Sequence, residues 1–225
     1  MYFYSITYKF FLFFVALSFV FCTTNNRTNE SDDTLATENE TSNLTQAVIV
    51  DSDYSFAQAI AESGAPAHVV ANLVLIDVEY YSTDEKLHRG QLLVNKLIET
   101  DMILLFDYIK VTGFPIFSAI PIVRFDWDDN ASMQANNSYV FCYRDITFSK
   151  HATGMAIDIN PLFNPLRWKA PYQNRPNKPA TGTHDRQVEG TLFPGHHLVE
   201  KLNDMGYRWG HYFSKNFDDH HFEKR

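Results

Sequence analysis

An α+β fold is predicted for residues 47–225, and three observations carry the prediction. Helical and extended stretches do not alternate regularly, as a parallel α/β sheet would require. The strongest helical pattern falls at 92–112, in the first half of that region. Several short extended stretches then crowd into the second half, between 138 and 223.

In chain order, 53–63 has helical spacing through Phe56, Ala59 and Ile60, and Gly64-Ala65-Pro66 ends it. Residues 73–80 alternate as a strand. Residues 92–112 recur at helical spacing through Leu93, Leu97, Leu104, Leu105, Tyr108 and Ile109, with Gly113 as the stop. Residues 114–123 read as extended, interrupted by Pro115 and Pro121 as on an edge strand. Short strands are predicted at 138–144, 154–159 and 207–209, with an extended stretch around 221–223 and a helix at 195–205 before Gly206. The segment 161–192 is rich in Pro, Asn, Thr and Gly, and a loop of that length in a compact domain is often functional.

Ahead of the domain, Lys9 is followed by an apolar run at 10–21. The run falls short of the roughly 20 residues a membrane-spanning helix needs and reads as the core of an export signal over 1–22. Cys22 at its end, before a polar stretch, resembles a bacterial lipoprotein processing site, although Phe21 is bulky for that pattern. Lipid attachment at Cys22 is one expected outcome; simple cleavage and retention as an anchor are the others. Residues 23–46 hold almost nothing apolar and are expected to form a disordered linker. The Asn-x-Thr/Ser triplets at Asn26, Asn29, Asn39 and Asn43 are what such a composition produces by itself. The expected location is outside the cytoplasmic membrane, periplasmic or at the cell surface.

Composition excludes several functions. A formal net charge of -8 argues against a nucleic-acid partner, which would require a basic face. With two cysteines, Cys22 and Cys142, the chain can be neither a disulfide-stapled scaffold nor a thiolate-rich zinc module. Any zinc site must therefore use His and carboxylates. Cys142, within Phe141-Cys142-Tyr143, reads as a small buried residue, since no pattern pairs it with a base.

The stretch from Ser149 to Pro161 contains the first candidate ligands. If 154–159 is a strand, Ile157 and Ile159 face the core while Ala156, Asp158 and Asn160 face the other way. An acid among apolar neighbours needs a partner, because an unpaired buried charge is very costly. A metal ion would be such a partner, and a bend at Gly154 can return His151 beside Asp158. At the C-terminus, Asp218-Asp219-His220-His221-Phe222-Glu223 supplies a third ligand. Two histidines, an aspartate and one open position form the arrangement of a catalytic zinc site. An acid three residues before the His could take a proton from an attacking water.

The sequence Ser149-x-His151-x-x-Gly154-x-Ala156-x-Asp158, with the distant Asp218-x-x-His221-Phe222, resembles the zinc D-Ala-D-Ala carboxypeptidase and L-alanyl-D-glutamate peptidase family, which includes VanY-like enzymes and phage endolysin peptidases. Tyr207-x-Trp209-Gly210 stands where that family has Trp-Gly-Gly, with His211 in place of the second glycine. Asp158-Ile159-Asn160-Pro161 fits a subgroup, and the likeness spans most of 75–225. The resemblance implies a small domain with a central antiparallel sheet carrying one zinc ion and flanked by helices. It implies His151, Asp158 and His221 as zinc ligands, with His220 the rival to His221. Asp218 would be the catalytic base, with Asp219 as alternative, and Arg144 would hold the substrate carbonyl or carboxylate. The implied partner is a peptidoglycan stem peptide, acted on by a monomer. The implied reaction is D-alanyl-D-alanine carboxypeptidase-like; an L-alanyl-D-glutamate endopeptidase and a non-catalytic zinc-dependent cell-wall or protein binding module are the alternatives. His196 and His197 read as structural or exposed, and His184 and His211 as open candidates for substrate contact.

Overall fold

The computed structural model describes residues 47–146 and 148–225. The export segment of 1–22 and the linker of 23–46 lie outside the described residues. In chain order the elements are β1 (Ile49–Val50), α1 (Phe56–Ile60), α2 (Ala67–Val70), β2 (Leu73–Tyr81), β3 (Leu87–Asn95), α3 (Glu99–Thr112), β4 (Ser118–Ala119), α4 (Asp129–Gln134) and β5 (Asn137–Ser138). There follow β6 (Ala156–Asp158), β7 (Leu166–Trp168), α5 (His197–Asp204), β8 (Tyr207–Trp209), β9 (Asn216–Asp218) and β10 (His221–Lys224). No helix among the described residues is long and apolar enough to cross a membrane.

The α+β class holds, but the single central antiparallel sheet does not. Among the described residues there are four small sheets: β1-β3-β2, β6-β10-β8, β4-β5 and β7-β9. Two of the pairings, β1–β3 and β4–β5, are parallel. The strands from β4 onward are only two to four residues long, too short to extend one continuous ladder. Side-chain amides fasten them instead. Asn137 accepts from the Ile120 amide (2.9 Å) and donates to the Ile120 carbonyl (2.8 Å), as a strand backbone would.

The β2–β3 hairpin is the largest sheet element, paired from Leu73↔Asn95 to Tyr81↔Leu87. It is covered on both faces. Ile76, Val78, Tyr80, Leu92 and Val94 pack in one cluster with Met102, Leu105, Phe106 and Ile109 of α3. Leu73 and Leu93 face the other way, into a cluster with Ala59, Val69 and Phe141. This explains a misplaced boundary. A doubly covered strand reads as a continuous apolar run, which periodicity alone cannot tell from a helix. Residues 92–95 therefore belong to β3, a 3-10 turn occupies Lys96–Ile98, and α3 begins at Glu99. Its buried face is Met102, Leu105, Phe106 and Ile109, whereas Leu97 and Leu104 are exposed. The stop at Gly113 is as predicted; its amide and that of Phe114 bond back to Lys110 and Ile109.

Other boundaries also move. Of 114–123, only β4 is strand, and a 3-10 helix follows at Ile122–Phe125. The predicted strand at 138–144 is reduced to Ser138 in β5 and an isolated bridge between Tyr139 and Asp158. The strand at 207–209 is β8, and the helix predicted at 195–205 is α5, starting at His197.

Candidate active site

The site is built on β6 and β10. These strands are antiparallel, with His221 directly opposite Asp158 and Phe222 opposite Ile157. Ile157, Ile159 and Phe222 fill the core, and the alternation of a strand sends Asp158 and His221 to the other face. Phe222 stacks on Trp209 of β8, ring centroids 5.8 Å apart, which anchors the sheet from behind. Asp158 is also paired through its backbone with Tyr139, at 2.9 and 3.1 Å.

His151 comes from a 3-10 turn, His151–Thr153, closed by Gly154 in the left-handed region at φ +69°. A Cβ at residue 154 would lie 2.8 Å from the Asn95 amide nitrogen and 2.9 Å from Leu73. The turn therefore nests against the end of β3 only because residue 154 has no side chain. Asn95 secures it, its amide bonding to the Gly154 carbonyl (3.0 Å) and its side chain to the Thr153 carbonyl (2.9 Å).

These elements bring three atoms together. His151 Nε2 lies 3.1 Å from Asp158 Oδ1 and 3.0 Å from His221 Nδ1, and His221 Nδ1 lies 2.9 Å from Asp158 Oδ1. His151 and Asp158 are buried. The other ring nitrogens are already engaged. His151 Nδ1 donates to the Val140 carbonyl (2.7 Å), and His221 Nε2 faces Glu223 Oε2 at 3.4 Å. This outer pattern of carbonyl and carboxylate is the one that orients metal-ligating imidazoles. Two imidazole nitrogens and a carboxylate oxygen thus aim at one point, where their lone pairs repel unless a cation lies between them. The three residues form a group that could hold a metal ion. The set of two nitrogens and one oxygen suits zinc with an open fourth position.

The electrostatics agree with a site built for positive charge. Burial alone would raise the Asp158 carboxyl, but the charges and hydrogen bonds of His151, His220 and His221 hold it well below the usual carboxylate range. Burial likewise opposes protonation of His220 and His221. Asp158 and Asp218 nonetheless push His220 up to about 9, and hydrogen bonds to the Asp158 and Glu223 carboxylates push His221 to about 10.

The triad opens into a pocket of about 370 Å³ that is also lined by Asp218, Arg144 and Glu223. Asp218 is the last residue of β9. Gly210 admits it, since a Cβ there would sit 2.7 Å from both the Asp218 Cβ and its carbonyl oxygen. This gives the glycine after Trp209 a physical reason. Asp218 Oδ1 is buried and lies 3.0 Å from His220 Nε2, yet outside hydrogen-bond geometry, so it has no hydrogen-bond partner among the described residues. Arg144 approaches Asp129 at 3.3 Å, likewise outside hydrogen-bond geometry.

The rival candidates lie outside the converging set. His220 donates from Nδ1 to the Asn164 carbonyl (2.9 Å) and turns Nε2 toward Asp218 Oδ1 and Asp158 Oδ2, the carboxylate oxygen that faces away from the triad (3.0 and 3.6 Å). Asp219 is fully buried with both oxygens taken, one by Arg167 (2.6 and 2.9 Å) and one by His211 Nδ1 (2.6 Å). His184 donates to the Leu192 carbonyl at 2.7 Å. Neither His184 nor His211 lines the pocket. His196 caps α5, accepting from the Leu198 amide, and His197 meets the Tyr108 hydroxyl. Cys142 is a buried free thiol that burial pushes up to about 11, so it is no nucleophile at neutral pH.

Sequence reasoning missed the scaffold of the long loop. Asn160 bonds the Phe117 amide and the Pro115 and Gly190 carbonyls; Asn164 bonds the Ile159, Asn160 and Gly190 carbonyls and the Leu192 amide. The Asn-Pro pairs at 160–161 and 164–165 thus tie both ends of the loop beneath the site. It also missed Lys150, Arg208 and Phe213 as pocket residues; isolated surface-type residues carry no periodic signal.

The fold and site together are those of a candidate metal-dependent hydrolase. Residues 144–224 match the family model described as D-alanyl-D-alanine carboxypeptidase, which supports the resemblance read from the two spaced motifs. No curated protein and no solved structure matched the chain.

Proposed function

We propose that the protein is a zinc metallopeptidase that hydrolyses peptidoglycan stem peptides, acting as a D-alanyl-D-alanine carboxypeptidase. The observation that carries this reading is the convergence of His151 Nε2, Asp158 Oδ1 and His221 Nδ1 in one pocket with Asp218 and Arg144. The first three residues would hold the ion. When bound, zinc would supply Lewis-acid polarisation of the carbonyl and make water a stronger acid. Asp218, its Oδ1 beside His220 Nε2 but in no hydrogen bond among the described residues, takes the proton of the attacking water and passes it to the departing amine. Arg144 stabilises negative charge developing on the carbonyl oxygen. His220 and Glu223 hold Asp218 and His221 in position. The direct attack requires no covalent intermediate.

The preference for the D-alanyl-D-alanine bond over L-alanyl-D-glutamate follows the description of the matched family. The position of Asp218 on the wall of the pocket favours an enzyme over a non-catalytic binding module, which has no use for a base. Mass spectrometry of muropeptide digests reports activity and bond together; absence of any cleaved product by the zinc-loaded protein would sink the reading. Arg144→Ala should keep zinc yet lower the hydrolysis rate by about 10²–10³-fold, the usual loss for one oxyanion donor. An unchanged rate would remove Arg144 from the reaction.

We also propose export, on the apolar run at 10–21 and the polar linker after it. Cells fed a labelled lipid precursor should label the wild type and not Cys22→Ser. Equal labelling, or none in either, would remove lipid attachment at Cys22.

A further inference from the structure

The pocket over the triad is lined by Arg144, Lys150, Lys178 and Arg208 together with the carboxylates of Asp129, Asp158, Asp218 and Glu223. The two arginines keep different neighbours. Arg144 belongs with Asp129 and Tyr139, and the Tyr139 ring lies 5.0 Å from that of His151. Arg208 belongs to the His221 side. Its guanidinium carbon lies 4.7 Å over the Phe213 ring, whose centroid is 5.8 Å from that of His221. The β8–β10 register sets Arg208 opposite Glu223, and the two side chains approach to 3.4 Å. Lys150 directly precedes His151, and neither it nor Lys178 forms an ion pair among the described residues.

An arginine stacked on an aromatic ring keeps its planar fork oriented without using its donors. Glu223 engages only Nη1, at the long limit of a hydrogen bond. The remaining donors suit bidentate binding of a carboxylate. Glu223 cannot be released to serve that role itself, because it faces His221 Nε2.

We propose that Arg208, supported by Lys150, is the specificity-determining residue of this pocket, binding the free α-carboxylate of the substrate residue that departs as the amine. The proposal rests on the peptidase reading and deepens it. Both candidate bonds share this chemistry. In a peptide ending D-Ala-D-Ala, the departing residue is terminal and its α-carboxylate is free. In L-Ala-D-Glu continued through the glutamate γ-carboxyl, the α-carboxylate of the departing residue is free as well. Arg144 then serves the scissile carbonyl, and Arg208 the carboxylate of the departing residue.

The test uses the zinc-loaded full chain, wild type and Arg208→Ala, on two matched pairs of peptides. One pair is a stem pentapeptide ending D-Ala-D-Ala and the same peptide with a C-terminal carboxamide. The other is L-Ala-γ-D-Glu-L-Lys and its D-isoglutamine counterpart, in which that α-carboxyl is an amide. Wild type should prefer the acid of whichever pair it cleaves. In Arg208→Ala, the acid-over-amide ratio of kcat/KM should fall by about 10–100-fold, the worth of a charge-assisted hydrogen bond. The loss should lie in KM, with zinc content unchanged, and Arg208→Lys should recover part of it. An acid-over-amide ratio that is the same in wild type and Arg208→Ala overturns the proposal. Should wild type cleave neither pair, the peptidase reading fails separately. Calorimetric binding of the same acids and amides to both proteins then still decides the role of Arg208, since equal affinities overturn it.

Discussion

Asp218→Asn should keep zinc at the wild-type level and lower peptide hydrolysis by about 10²–10⁴-fold, the range of a positioned acid–base group. Asparagine preserves the shape of the side chain, and shape matters here because Gly210 packs directly against the residue 218 Cβ and carbonyl. The ion's three ligands are untouched, since Asp218 contributes no atom to the converging set. What is lost is a basic oxygen at the pocket wall, the one buried Asp oxygen of the site left without a hydrogen bond. The structure narrows the alternatives. Asp219 holds Arg167 and His211 and cannot accept a further proton without breaking that buried network. Elemental analysis and product mass spectrometry on one preparation are the paired measurement. Wild-type turnover by Asp218→Asn would move the base elsewhere, with Glu223 the next candidate because it lines the same pocket.

The site was more legible in the sequence than the fold that carries it. His151, Asp158 and His221 stand in two motifs whose spacings are fixed by local geometry: a turn closed by Gly154, then strand alternation on β6 and β10. Such constraints are written within a few residues. The helix boundary at residue 99 was not, because Leu92-Leu93-Val94 are buried on both faces of β3 and lose the alternation that marks a strand. The division into four sheets was hidden for a different reason. Strands of two or three residues such as β4, β5, β7 and β9 carry no periodicity. They exist through side chains distant in sequence, such as Asn137 on Ile120 and Asn160 on Phe117. Glu223, two residues after His221, shares its strand face, but only the structure aligns its carboxylate with Nε2.

Zinc and activity should be lost together in His151→Ala and in His221→Ala, whereas His220→Ala should keep the metal. The distinction lies in which oxygen of Asp158 each histidine meets. His151 and His221 meet Oδ1 at 3.1 and 2.9 Å, with their own nitrogens 3.0 Å apart. His220 stands 3.6 Å from Oδ2 and is held by the Asn164 carbonyl, so it buttresses Asp158 and Asp218 from outside the converging set. Removing either histidine leaves one imidazole and a buried carboxylate, which is too few for a stable zinc site. Glu223→Gln should weaken zinc by about 10–100-fold, the usual cost of losing an outer partner of a ligating His. A thermal measurement checks the same assignment without turnover. Binding to the folded state alone stabilises by about 4 kcal/mol when free zinc stands about 1,000-fold above Kd. For a domain of this size, that corresponds to roughly 10 °C in Tm. Chelation should therefore lower the Tm of wild type and His220→Ala by that order and leave His151→Ala and His221→Ala unmoved. If His221→Ala instead kept its zinc and its response to chelator while His220→Ala lost both, the third ligand would be His220.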